Sequence, residues 1–222
     1  MLRIVPPAPT VGDARDSADR AIFRATRSLA GSLRWNIAKN DDDLSVAYIL
    51  KALSCASGLD LSQAKTPRLF ALLTHVSDDS GAASVPLKEK YQRKRPFLMQ
   101  EGATCVARTA ALENSPDYPS SHSTLGWTTG LILAELVPDR ATEILSRARA
   151  YGESRIVCGV HNNSAVEVGR VIAGAVVAAL HGSAAFRRDL EAARAEVARL
   201  RPAQGRSAEC SAELAAVAVS PY

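Results

Sequence analysis

Aromatic residues are scarce, at 5% of 222 positions, and no stretch alternates apolar with polar side chains. The chain therefore offers little from which to build a sheet. No run approaches the roughly 18 consecutive apolar residues that a membrane span requires. The most apolar segments, Gly130 to Val137 and Ala173 to Leu180, are short and bounded by charge or glycine, which argues against a membrane-integral protein. The opening Met1-Leu2-Arg3-Ile4-Val5 has no apolar h-region, so no signal peptide is read there. Net charge is only +4, and the basic residues are spread over helical faces such as Arg187 to Arg201. That speaks against a nucleic-acid partner and allows at most a modest attraction for anions. The four cysteines, Cys55, Cys105, Cys158 and Cys210, include no C-x-x-C pair, and no His stands at zinc-finger distance from them. A metal site is not expected. Two disulfides in any of three connectivities, or buried free thiols, both fit this count.

What is present is a helical pattern. With 47% hydrophobic and 23% charged residues the composition is globular, and abundant Ala favours close-packed helices. Apolar positions recur at helical spacing from Val11 to Leu29, Leu44 to Ala56 after the acidic Asp41-Asp42-Asp43, and onward from Thr66-Pro67. Gly81 to Pro86 reads as a break, and Pro96 as an interruption of helix. Ser123 to Leu136, Arg140 to Val160, Val166 to Leu180 and Ala184 to Leu200 complete the set, the last with expected pairs Arg187–Glu191 and Glu196–Arg199. The fold predicted is all-α, a compact single-domain helical bundle over residues 1–222. Residues 1–10 form an extended Pro-rich start and residues 202–222 a looser tail, in which Ala208 to Val217 can add a short helix.

Three short stretches carry oxyanion chemistry. They are Lys88 with Arg95-Pro96, then Pro119-Ser120-Ser121-His122, then Ser154-Arg155 followed by His161. Lys and Arg supply fixed positive charge and bidentate hydrogen bonding to phosphoryl oxygens. The two His supply a nucleophile and a proton donor titrating near working pH. Taken singly, the Lys-Arg run is a solvated basic face and each His a satisfied helix residue; three stretches in order outweigh that reading. His75 and His181 match no stretch and are read as structural.

The series K-x6-R-P, P-S-x-H, S-R-x5-H resembles the class A bacterial non-specific acid phosphatases, the soluble branch of the phosphatidic-acid-phosphatase type 2 superfamily, to which the vanadium haloperoxidases also belong. Pro6-Pro7-Ala8-Pro9, Phe23-Arg24-Ala25-Thr26-Arg27 and Gly169-Arg170-Val171-Ile172 extend the likeness over roughly residues 5 to 200. The resemblance implies a helical bundle of that type with the site at one end, and hydrolysis of small-molecule phosphomonoesters without metal or cofactor. Phosphate or vanadate would be the oxyanion occupant, and phosphotransfer to alcohols a companion activity. It implies Lys88, Arg95 and Arg155 as phosphate ligands, aided by Ser120 and the Ser121 N–H, with His161 as nucleophile forming a phosphohistidine and His122 as acid. A periplasmic or secreted location follows from it, and a homo-oligomer is compatible with it. The alternatives are a vanadate-dependent haloperoxidase, although those are usually much larger, and a phosphate-binding protein that has lost turnover.

Two positions depart from the family's pattern. Ser121 stands where the family has Gly, which costs on the order of 1 kcal/mol if φ there is positive and nothing if it lies in a first helical turn. Ala165 stands where the family has Asp. If 161 and 165 share a helix face, the missing carboxylate is the one that orients His161. Glu167 is poorly placed to replace it, while a carboxylate from elsewhere or water remains open. A loss of roughly 10² to 10⁴ in turnover, recoverable by Ala165→Asp, is the resulting expectation.

Overall fold

Ten α-helices and three short 3-10 turns occur among the described residues, and no strand. The structure is a computed structural model describing residues 1–200 and 207–222. In chain order the helices are α1 (Ala14–Thr26), α2 (Leu33–Asn40), α3 (Val46–Ser57), α4 (Pro67–Tyr91), α5 (Ala110–Asn114), α6 (Ser121–Leu136), α7 (Ala141–Val157), α8 (Asn163–His181), α9 (Ala184–Val197) and α10 (Ala208–Val217). Most begin at a short polar residue whose oxygen accepts the N–H three positions on, as Asp13, Ser32, Ser45, Thr109, Ser120, Ser183 and Ser207 do.

α6 lies at the centre, packed on α7 and α8. The approach is close because glycines line it. A Cβ on Gly130 would collide with that of Ala148, and one on Gly169 would lie 2.8 Å from the Ser123 side chain and 2.9 Å from the Ser120 carbonyl oxygen. Gly169 thus lets α8 press against the first turn of α6, where the Pro119-Ser120-Ser121-His122 motif sits. Leu50, Leu69, Leu73, Ile132, Leu133 and Ile144 form the centre of the main core.

Several expectations change. The break read at Gly81 to Pro86 is absent, since α4 runs through it with Pro86 inside. The buried stripe Leu69, Leu72, Leu73, Val76, Ser80, Ser84, Leu87 continues unbroken. Pro86 is on the exposed side, where the carbonyl it leaves unpaired can face water. The acidic triplet does not open a helix: α3 starts at Val46 under Ser45, while Asp41 is fully buried against Arg147 at 2.7 Å. A long-range ion partner outweighs the helix-dipole preference there. Helices α2 and α5 are additions to the expected set, being too short and weakly periodic to announce themselves in the sequence. In α9, Glu196 accepts the Arg68 and Leu69 N–H groups at the start of α4, and Arg194 pairs with Glu191 and Glu135, in place of the two pairs expected. Helix α8 is long and apolar enough by composition to cross a membrane, although its apolar run is interrupted; here Ala165, Val166, Val168, Ile172, Ala173 and Val176 are buried within the bundle. The looser tail falls partly on residues 201–206, outside the described residues. All four cysteines are paired, Cys55 with Cys210 and Cys105 with Cys158.

Candidate active site

The last turn of α4, the segment 92–120, the start of α6, the last turn of α7 and the turn between α7 and α8 meet at one end of the bundle. Each predicted site residue comes from one of these pieces. Ser120 is the N-cap of α6, its oxygen accepting the Ser123 N–H at 3.3 Å. Ser121 is then the first helical residue, with ordinary negative φ, so the exchange of Gly for Ser carries no backbone strain. The Ser121 and His122 N–H groups have no intrahelical acceptor and form the positive end of α6. The Nε2–H of His122 donates to the Asp42 carbonyl oxygen at 2.9 Å.

The cations are not a solvated face. Arg95 and Arg155 are 5% and 1% exposed, which is rare for Arg unless paired. Arg95 donates through Nε to the Ser115 carbonyl at 2.7 Å and through Nη1 to the Val160 carbonyl at 2.8 Å. The same Nη1 lies 3.2 Å from His161 Nε2. Lys88 Nζ donates to the Pro116 carbonyl at 2.6 Å, and burial together with Arg95 pushes its pKa down to about 8. Arg155 pairs through Nη2 with the half-exposed Asp42 carboxylate, while its buried Nε and Nη1 have no partner among the described residues. Ser154, its neighbour in the motif, donates to Asp41 at 2.6 Å and so braces α7 rather than facing the site.

His161 is 3% exposed. Burial, then Arg95, Lys88 and Arg155, hold its pKa well below the usual range. His122 is shifted the same way by burial, then Arg155. Both rings are therefore neutral in the free site at neutral pH. His161 does not lie on a helix with residue 165. It precedes α8, whose N-cap is Asn162, so the expected helical i,i+4 relation does not exist. Ala165 is fully buried in an apolar cluster with Leu87, Tyr118, Val168 and Ile172. Glu167 is half-exposed and paired with Arg170 at 3.0 Å. A carboxylate nevertheless meets His161: Asp117 Oδ1 lies 3.0 Å from Nδ1.

Asp117 and Arg93 join the site without having been expected there. Arg93 is 8% exposed and bridges Asp16 at 3.2 Å, Asp19 at 2.9 Å and Asp117 at 3.3 Å. The only local hints in the sequence are an Asp two residues before the Pro119 motif and an Arg between Lys88 and Arg95; neither names its partner. Among the described residues no three His, Cys, Asp or Glu side chains gather as a metal site would need.

On this all-helical frame the chain belongs to the PAP2 superfamily, whose pattern matches residues 69–189. Within it the chain is 43% identical over 206 residues to an acid phosphatase of Zymomonas mobilis, covering 90% of this chain and 76% of that protein. It is 35% identical to a non-specific acid phosphatase of Providencia stuartii, over 90% of this chain and 82% of the relative. Identity to the non-specific acid phosphatase of Salmonella typhimurium is 31%, over 87% and 78%. The fold is similar to that of a transmembrane PAP2-type phosphatidylglycerolphosphate phosphatase from Bacillus subtilis, with a TM-score of 0.55, 19% identity, and coverage of 78% of this chain and 87% of that one.

Proposed function

We propose that this chain is an acid phosphatase that hydrolyses small-molecule phosphomonoesters through a phosphohistidine, without metal. The observation that carries the reading is Arg155: a buried guanidinium with two nitrogens that have no partner among the described residues, beside Arg95, Lys88 and a neutral His161. Unpartnered buried donors are costly unless a ligand completes them, and a phosphoryl dianion is the ligand that three cations and a helix N-terminus fit.

In the proposed reaction the ester's phosphoryl oxygens take the donors of Arg155, Arg95, Lys88 and the first N–H groups of α6, displacing the Asp42 carboxylate. The His161 Nε2 lone pair attacks phosphorus, the ester P–O bond breaks, and the departing alkoxide oxygen takes a proton from His122. Neutral His122 then accepts a proton from water as that water attacks phosphorus, the P–N bond breaks, and phosphate leaves. An alcohol in place of the water gives phosphotransfer. Because the cradle grips only the phosphoryl group, the alcohol portion is weakly selected, which favours a broad substrate range. His122 must be protonated for the first step although burial, and then Arg155, hold it neutral in the free site, so activity falls as pH rises. The two disulfides fit a periplasmic or secreted location.

The test is p-nitrophenyl phosphate hydrolysis from acid to neutral pH with EDTA present. Turnover should persist in EDTA and vanish in His161→Ala, which should still bind phosphate or vanadate. Abolition by chelator with rescue by a divalent ion would overturn the metal-free reading. Turnover retained in His161→Ala would remove His161 from the chemistry, and phosphate binding with no wild-type turnover would make the chain a binding protein.

A further inference from the structure

We propose that Asp117 is the positioning residue for His161, and that it reaches the nucleophile from the loop before α6 while position 165 supplies only a methyl group. The proposal rests on the reading of His161 as nucleophile. Asp117 is fully buried, and each oxygen is engaged. Oδ1 accepts from the Asn162 N–H at 3.0 Å and meets His161 Nδ1 at 3.0 Å. Oδ2 accepts from Asn162 Nδ2 at 2.9 Å and lies 3.3 Å from Arg93 Nη1. A carboxylate held on both oxygens cannot turn away from the ring. Its own N–H donates to the Arg93 carbonyl at 2.8 Å, which fixes the backbone as well.

Two partners dictate one tautomer. A carboxylate oxygen accepts, so the His161 proton lies on Nδ1; a guanidinium only donates, so the Nε2 lone pair faces Arg95 Nη1 at 3.2 Å. The resulting ring, with hydrogen on Nδ1 and a free pair on Nε2, is the nucleophilic form, already aimed at the cations. When Nε2 bonds to phosphorus the ring becomes cationic, the proton stays on Nδ1, and Asp117 stabilises the new charge without accepting it. Burial raises the Asp117 pKa above the usual carboxylate range. Arg93 opposes that, and Arg93 is held in turn by Asp16 and Asp19 of α1. Asp19 also accepts the Ser164 N–H and hydroxyl at 2.8 and 2.6 Å, so α1, the Arg93 segment and the start of α8 form one buried polar lattice behind the nucleophile. Ala165 cannot join it: its methyl packs among Leu87, Tyr118, Val168 and Ile172.

The experiment uses the full chain with its disulfides intact. Long-range ¹H–¹⁵N spectra of the wild type should show His161 protonated at Nδ1 at neutral pH; protonation at Nε2 alone would overturn the proposal. Asp117→Asn should lower kcat by roughly 10² to 10⁴ while phosphate affinity stays within about threefold; unchanged kcat would overturn it. If that variant does not fold, the wild-type tautomer decides. Ala165→Asp in the otherwise intact chain should give no gain, and a rise of roughly 10² would show that His161 still lacks its carboxylate and overturn the assignment. Failure of the phosphatase reading itself is seen separately, as absent wild-type turnover or an active His161→Ala.

Discussion

The two histidines stand on walls of different construction. On one side, His122 and Ser121 open α6 and Arg155 closes α7; the helix ladders satisfy the backbone and leave side chains and end groups free for a ligand. On the other side, Arg95, Asp117 and His161 lie in non-helical chain whose carbonyls are satisfied by cationic side chains. Lys88 takes Pro116, Arg95 takes Ser115 and Val160, and Arg27, stacked 4.6 Å from the Phe23 ring centroid, takes Ala103 and ties it to the Ile156 and Val157 carbonyls at the end of α7. The difference is one of duty. On the phosphatase reading proposed above, helical-wall charges serve the ligand, whereas loop-wall charges also hold the wall together, so substitutions in the two should separate activity from stability.

The largest expected effect follows from Arg93. Arg93→Met leaves Asp16, Asp19 and Asp117 buried without their shared cation, and should lower unfolding free energy by about 3–5 kcal/mol. Arg155→Met, on the helical wall, removes a buried guanidinium whose one ion partner among the described residues is the half-exposed Asp42. It should abolish phosphate binding with no loss of stability. Denaturant melts of both variants check the pair; equal losses would erase the distinction between the walls.

The disulfides give the next contrast. Cys105–Cys158 pins the loop wall, with the Cys105 N–H donating to the Cys158 carbonyl at 3.0 Å, whereas Cys55–Cys210 joins α3 to α10. Replacing either pair by Ser should lower stability by about 2–4 kcal/mol. Only the Cys105→Ser/Cys158→Ser form should also lose turnover while still folded, as kinetics below its melting range will show.

The smallest effect sharpens the comparison at Lys88, which touches the loop wall and is also proposed to bind phosphate. Its pKa is depressed to about 8, so its charge is present below that pH and lost as pH rises through it. Bound phosphate favours the charged amine, so phosphate affinity should weaken above pH 8 by up to about tenfold per unit. Lys88→Met should bind more weakly and lose this limb; titration calorimetry between pH 7 and 10 reads both, and a limb that survives the substitution would assign it elsewhere.

Much of the helical wall was legible in the sequence. Periodicity marked α6, α7 and α8. These signals work because a helix is decided by groups within about four residues of one another. The loop wall was half legible: the types and order of Lys88, Arg95 and His161 pointed to phosphate, but Ala165 was weighed on a helix that His161 does not share. By itself the sequence determined an all-helical chain and a set of cations and imidazoles suited to an oxyanion. Only the tertiary structure decided that Arg93 gathers three aspartates, that Asp42 rests on Arg155, and that Asp117 meets His161 across 44 positions of chain. Charge and residue type carry no record of a distant partner, and burial, which makes such pairs obligatory, exists only once the helices have packed.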